Sequence, residues 1–144
     1  MKNLDKNNKT VKVGEIYYTT LAENGSVQSG HRPVVVLQNN RGNSRSPNVT
    51  VAPLTGKWKK LYLPTHVPIE AKPGGLRENS TVLCENLITI PQSDLENYVT
   101  KLSDADIGHI AESVLLATGL GSFINIDDME RIQKKADKLN NVTF

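Results

Sequence analysis

The chain has 144 residues, 38% of them hydrophobic and 22% charged, with a formal net charge of +2. That is the size and make-up of one globular domain with one core. No apolar run approaches the roughly 18 residues of a membrane span, and Cys84 as the single cysteine excludes an internal disulfide. The basic start MKNLDKNNKTVKV lacks the apolar stretch of a secretory signal, so the expected compartment is a reducing cytoplasm.

Residues 1–11 are polar and lysine-rich and read as a flexible basic arm. GEIYYTTL (14–21) predicts a strand, ENGSVQSGH (23–31) a turn-rich loop, and RPVVVLQ (32–38) a β-branched strand. NNRGNSRSP (39–47) reads as a polar loop and NVTVAPLT (48–55) as an alternating strand. GKWKKLYL (56–63) is basic with Trp58 and Tyr62 interleaved. PTHVPIE (64–70) and STVLCENLITI (80–90) predict further strands around the loop AKPGGLREN.

The period then changes. Ser93 and Glu96 suggest a capping box for a short helix SDLENY. Ser103 and Asp106 open a second helix with Ile107, Ile110, Ala111, Val114 and Leu115 on one face, ended by Gly119. A third amphipathic pattern starts at Asp127 with Met129, Ile132, Ala136 and Leu139. Strands first and helices last predict a mainly β fold with α, an antiparallel barrel-like sheet with helices at one end.

Charge is unevenly spread. Residues 22–80 carry eight Lys/Arg against three acids, and residues 81–120 carry one against six. A basic half attracts phosphates, although a solvated face explains it equally well. His31, His66 and His109 lack metal-ligand spacing, and neither a phosphate-binding glycine loop nor a hydrolase elbow is present. The remaining chemistry is Arg32, pinned before Pro33 at a strand start, and Thr55 at the end of NVTVAPLT. If those strands are neighbours, a guanidinium fork and a hydroxyl meet at one rim, a cradle for phosphate oxygens.

The order VGEIYY…GSVQSGHRPVVVLQNNRGNSRSPNVTVAPLT…LPTHVPIE…VLCENLITI resembles the MazF/PemK family of toxin endoribonucleases. The resemblance runs over residues 12–120 and leaves 121–144 as a helical extension. It implies a small SH3-like antiparallel barrel that dimerises and cuts single-stranded RNA without metal or other cofactor. It carries the catalytic roles to Arg32 and Thr55, and an acidic position to Glu85. RNA contacts fall on Ser26, Gln28 and His31 of the first loop and on Asn86; Lys57 and Lys59 add basic charge. The implied partners are single-stranded RNA, a cognate antitoxin and a second copy, giving a homodimer whose apolar contact is expected on Ile110, Val114 and Leu115. Val27 and Ile88 depart from the family pattern where RNA is touched. Arginine is a poor base, so Arg32 is expected to act as a clamp and Glu85, ahead of His31, as the base. Two rivals stay open: a same-fold toxin that binds DNA gyrase, and a catalytically inactive RNA- or protein-binding module.

Overall fold

The computed structural model describes residues 10–22, 30–56 and 63–141. Seven strands form one curled antiparallel sheet: β1 (Glu15–Leu21), β2 (Gly30–Val36), β3 (Asn48–Thr55), β4 (His66–Ile69), β5 (Ser80–Leu83), β6 (Ile88–Pro91) and β7 (Tyr98–Lys101). The order is β4-β5-β3-β2-β1-β7, with β6 also paired to β3. β3 therefore changes partner along its length. Asn48–Val51 pair with β6, and Leu54–Thr55 pair with β5. Pro53 falls in the gap between those two ladders, where its missing N–H costs no bond to either. A strand shared by two neighbours on one edge is what curls the sheet into a half-barrel.

Alternation divides the apolar residues between two clusters. Val34, Val36, Val49 and Val51 belong to one, with Val11, Leu21 and Leu95. Val35, Ala52, Leu54, Val82 and Cys84 belong to the other, with Ile16 and Ile110. Cys84 is buried, and its thiol is pushed up to about 12 by burial first and by the neighbouring Glu85 charge second. The thiolate is the reactive form. Cys84 should therefore resist alkylation at pH 8 in the native protein and react fully in denaturant; rapid native labelling followed by mass spectrometry would contradict its burial.

Helix α2 (Asp104–Ala117) matches the expected second helix. The Ser103 side chain accepts from Asp106 N–H, and Gly119 follows with φ 76°. A side chain at Gly14, whose φ is 89°, would overlap Ile107, so glycine there lets α2 lie against the start of β1. Ile110 is 1% exposed within the main core cluster, and Val114 packs half-buried against it. The expectation that Ile110 offers surplus apolar surface for a dimer contact is thus mistaken: the core covers it. Exposed apolar side chains follow further on, among them Leu116, Leu120, Phe123 and Ile126.

Other expectations are revised. The loop 39–47 contains a short helix, α1 (Asn40–Arg45), capped by Asn39 Oδ1 accepting from Gly42 N–H at 2.8 Å. STVLCENLITI is two strands broken at residues 84–87. SDLENY is not a helix: Gln92–Asp94 make one 3-10 turn, and Tyr98 opens β7 on β1. Helix α3 (Ile126–Asn140) starts at Asn125 with a reciprocal capping box to Asp128. Its far end is tied to α1, where Asn40 N–H donates to Asn140 Oδ1 at 3.0 Å and Asn40 Nδ2 donates to Asn140 O at 2.9 Å.

Candidate active site

β2 and β3 are neighbours, as the site requires. Their register pairs Val34 with Pro53, and continuing it two residues sets Arg32 opposite Thr55. Arg32 alternates in step with Val34 and Val36, and Thr55 with Val49 and Val51. Those valines share one cluster, so both side chains belong to the same face of the sheet. Arg32 Nη1 donates to Leu54 O at 3.2 Å. One of the five guanidinium donors thereby anchors the head to the backbone next to Thr55.

The row extends on both sides. Thr19 is paired with Arg32, and Thr81 with Thr55. All three threonines are buried. Thr19 Oγ1 donates to Asp94 O at 2.8 Å, which anchors it from below the sheet edge. The line Thr19–Arg32–Thr55–Thr81 is thus a guanidinium and three hydroxyls across four strands. Thr19 and Thr81 were missed from the sequence. Each is an ordinary strand threonine until pairing between distant segments puts it beside the arginine or the terminal hydroxyl.

His31 lies on the opposite side of β2 from Arg32. Its ring stacks on Tyr18 with centroids 5.0 Å apart and 8° between planes. Its Nδ1 lies 3.3 Å from Thr20 Oγ1 and 3.6 Å from Glu96 Oε1. It is exposed and engaged away from the Arg32 face.

Glu85 is not brought to Arg32 and Thr55. It lies in the turn after β5, beyond the end of the strand that carries Thr81. Its carboxylate meets His66 instead, with Oε2 at 2.9 Å from Nε2. β5 runs antiparallel to both β3 and β4, which sets the turn after it beside His66 at the start of β4. Asn86 is in the turn after β5, its N–H donating to Leu83 O at 3.1 Å. Ser26, Gln28, Lys57 and Lys59 lie outside the described residues, as do Trp58 and Tyr62. In sequence, the two segments concerned immediately precede Gly30 and follow Gly56. Among the described residues no group of three or more His, Cys, Asp or Glu side chains is placed to hold a metal ion.

Known proteins share this fold. Residues 12–118 match the family described as PemK-like, MazF-like toxin of type II toxin–antitoxin system. The Mycobacterium tuberculosis toxin MazF-mt6 is 31% identical with a TM-score of 0.61, covering 73% of this chain and 96% of its own. An endoribonuclease in complex with its cognate antitoxin, from a mycobacterial species, is 23% identical with a TM-score of 0.62 over 76% of this chain and 96% of its own. MazF from Deinococcus radiodurans has the same fold at 18% identity and a TM-score of 0.65, covering 78% of this chain and 99% of its own. With the family matched over most of its length and the curled sheet shared, the chain belongs to the PemK-like, MazF-like toxins of type II toxin–antitoxin systems.

Proposed function

We propose that this toxin is a sequence-specific endoribonuclease that cuts single-stranded RNA, messenger RNA included, by transesterification and so arrests translation and growth. The observation that carries the reading is Arg32 held against the Leu54 carbonyl on the same face as Thr55. The mycobacterial structural relative, itself an endoribonuclease, supports it.

In this reaction the ribose 2′-OH attacks the adjacent phosphorus while its proton passes to solvent water, and the 5′-oxygen leaves and takes a proton from solvent. Negative charge grows on the non-bridging oxygens of a pentavalent phosphorane. A planar guanidinium meets two such oxygens at once, and the Thr55 hydroxyl donates a further hydrogen bond. Arginine stays protonated at neutral pH, so its contribution is charge stabilisation and orientation rather than proton abstraction. No step calls on a metal ion. Ser26, Gln28 and Asn86 are proposed to touch the bases, with Lys57 and Lys59 on the backbone phosphates.

The toxin works as a cytoplasmic homodimer, and an acidic antitoxin segment occludes the RNA surface. The excess of eight basic over three acidic residues in 22–80 directs such a segment to the basic half. Its affinity should fall at least tenfold between 50 and 300 mM salt, because exposed charges are screened over about 10 Å at 0.1 M. Titration calorimetry checks this, and salt-independent affinity refutes the electrostatic route.

Purified toxin incubated with a long single-stranded RNA tests the function directly. Discrete fragments with a common sequence at the cut support it. Intact RNA together with inhibited DNA gyrase selects the rival toxin class. Intact RNA that is nevertheless bound selects the inactive module.

A further inference from the structure

Resting on that reading, we infer that His66 is a positioning residue that holds Glu85 as a base-reading carboxylate for the RNA. The two side chains differ sharply in exposure, 10% for His66 and 40% for Glu85, and meet at 2.9 Å. A carboxylate only accepts, so Nε2 carries the proton and donates to Oε2. The other ring nitrogen is Nδ1. Among the described residues it is buried with no hydrogen-bond partner. A buried polar atom without a partner lowers stability, and an apolar side chain of similar size would avoid that cost. The gain that offsets it is the fixed orientation of Glu85.

The surrounding backbone makes that orientation rigid. His66 is paired with Leu83, and its N–H donates to Leu63 O at 3.0 Å. Cys84 N–H donates to Thr65 O at 3.0 Å, tying the residues before both side chains together. Among the described residues only Oε2 of the carboxylate is engaged. The chemistry of what it meets follows from charge. A carboxylate repels phosphate, so on an RNA-binding face it addresses a base edge, accepting from an exocyclic amine or a ring N–H. Lying in the turn beyond Thr81, the outer member of the Thr19–Arg32–Thr55–Thr81 row, it serves a nucleotide next to the one being cut.

Steady-state kinetics on single-stranded RNA, with cut sites sequenced from a randomised pool, tests the pair. Glu85→Gln and His66→Phe should each raise KM about tenfold or more, leave kcat within about twofold, and lose base preference at the same single position. His66→Gln, which retains an N–H near the Nε2 position, should keep that preference. The double variant should be no worse than Glu85→Gln alone. The thermal midpoint of His66→Phe should not fall, since the orphan nitrogen is gone. A His66→Phe protein with wild-type preference and KM overturns the inference. So does one that loses kcat and stability together while keeping its preference, because the histidine is then structural. A wild-type protein that leaves RNA uncut overturns the proposed function itself and this inference with it, a result distinct from both.

Discussion

Replacing Arg32 with alanine should lower the RNA cleavage rate by about 10²–10³-fold, the usual cost of removing a preorganised donor aimed at developing charge. Thr55→Val should cost a comparable factor, because it deletes only the hydroxyl and keeps the branched shape. Both variants should remain folded. Arg32 belongs to neither apolar cluster, and Thr55 lies at the end of a strand whose packing rests on Val49, Val51, Ala52 and Leu54. Arg32→Lys should not restore the rate, since a single ammonium cannot reproduce a fork that spans two oxygens while bonded to the Leu54 carbonyl. The effects should fall on kcat more than on KM, because the phosphorane carries more charge than the bound substrate. Circular dichroism and thermal melts confirm the fold, and single-turnover rates supply the number. Variants that still cut at wild-type rate, or still arrest growth at equal expression, would place the reaction elsewhere on the protein.

How much of this could be read from the chain depends on the range of the interactions. β1, β2 and β3 are legible because Ile16, Val34–Val36 and Val49–Leu54 are β-branched or apolar runs of strand length bounded by polar turns. α2 is legible because Ser103, the apolar positions from Ile107 and Gly119 form a local code of cap, stripe and stop. The Arg32–Thr55 meeting depended only on β2 and β3 being adjacent, which the resemblance also implied. What failed was decided by partners far away in sequence. Tyr98–Lys101 is too short and too polar to announce a strand and becomes one by pairing with β1. Ile110 reads as surplus apolar surface until the core is seen to fill over it. The contact of Glu85 with His66, 19 residues away in sequence, is set by the pairing of β4 with β5 and has no local signal. The threonines at 19 and 81 carry no local signal at all, since only strand pairing gives them their neighbours.

The largest effect should come from changing the substrate rather than the protein. Deoxyribose in place of the ribose 5′ to the scissile phosphate removes the attacking 2′-oxygen and should abolish cleavage. Every phosphate and base contact is left in place, so this oligonucleotide should still bind and inhibit competitively, with an inhibition constant near the KM of the all-ribose parent. On the parent substrate the 5′ fragment should end in a 2′,3′-cyclic phosphate and the 3′ fragment should begin with a free 5′-OH. Those ends follow from the atom balance of the step: the 2′-oxygen replaces the 5′-oxygen on phosphorus, and no water enters. The rate should be unchanged in excess EDTA, because Arg32 and Thr55 supply by hydrogen bonding the charge stabilisation that a metal-dependent nuclease draws from its ion. Pairing the target into a duplex should protect it, since stacking holds the ribose and phosphate out of the in-line geometry and hides the base edges that Glu85 and its neighbours would read. Mass spectrometry of the two fragments separates the possibilities. A 5′-phosphate on the downstream fragment, or activity that returns only with added Mg²⁺, would mean hydrolysis by a metal-activated water and would leave the Arg32–Thr55 row without the role argued for it.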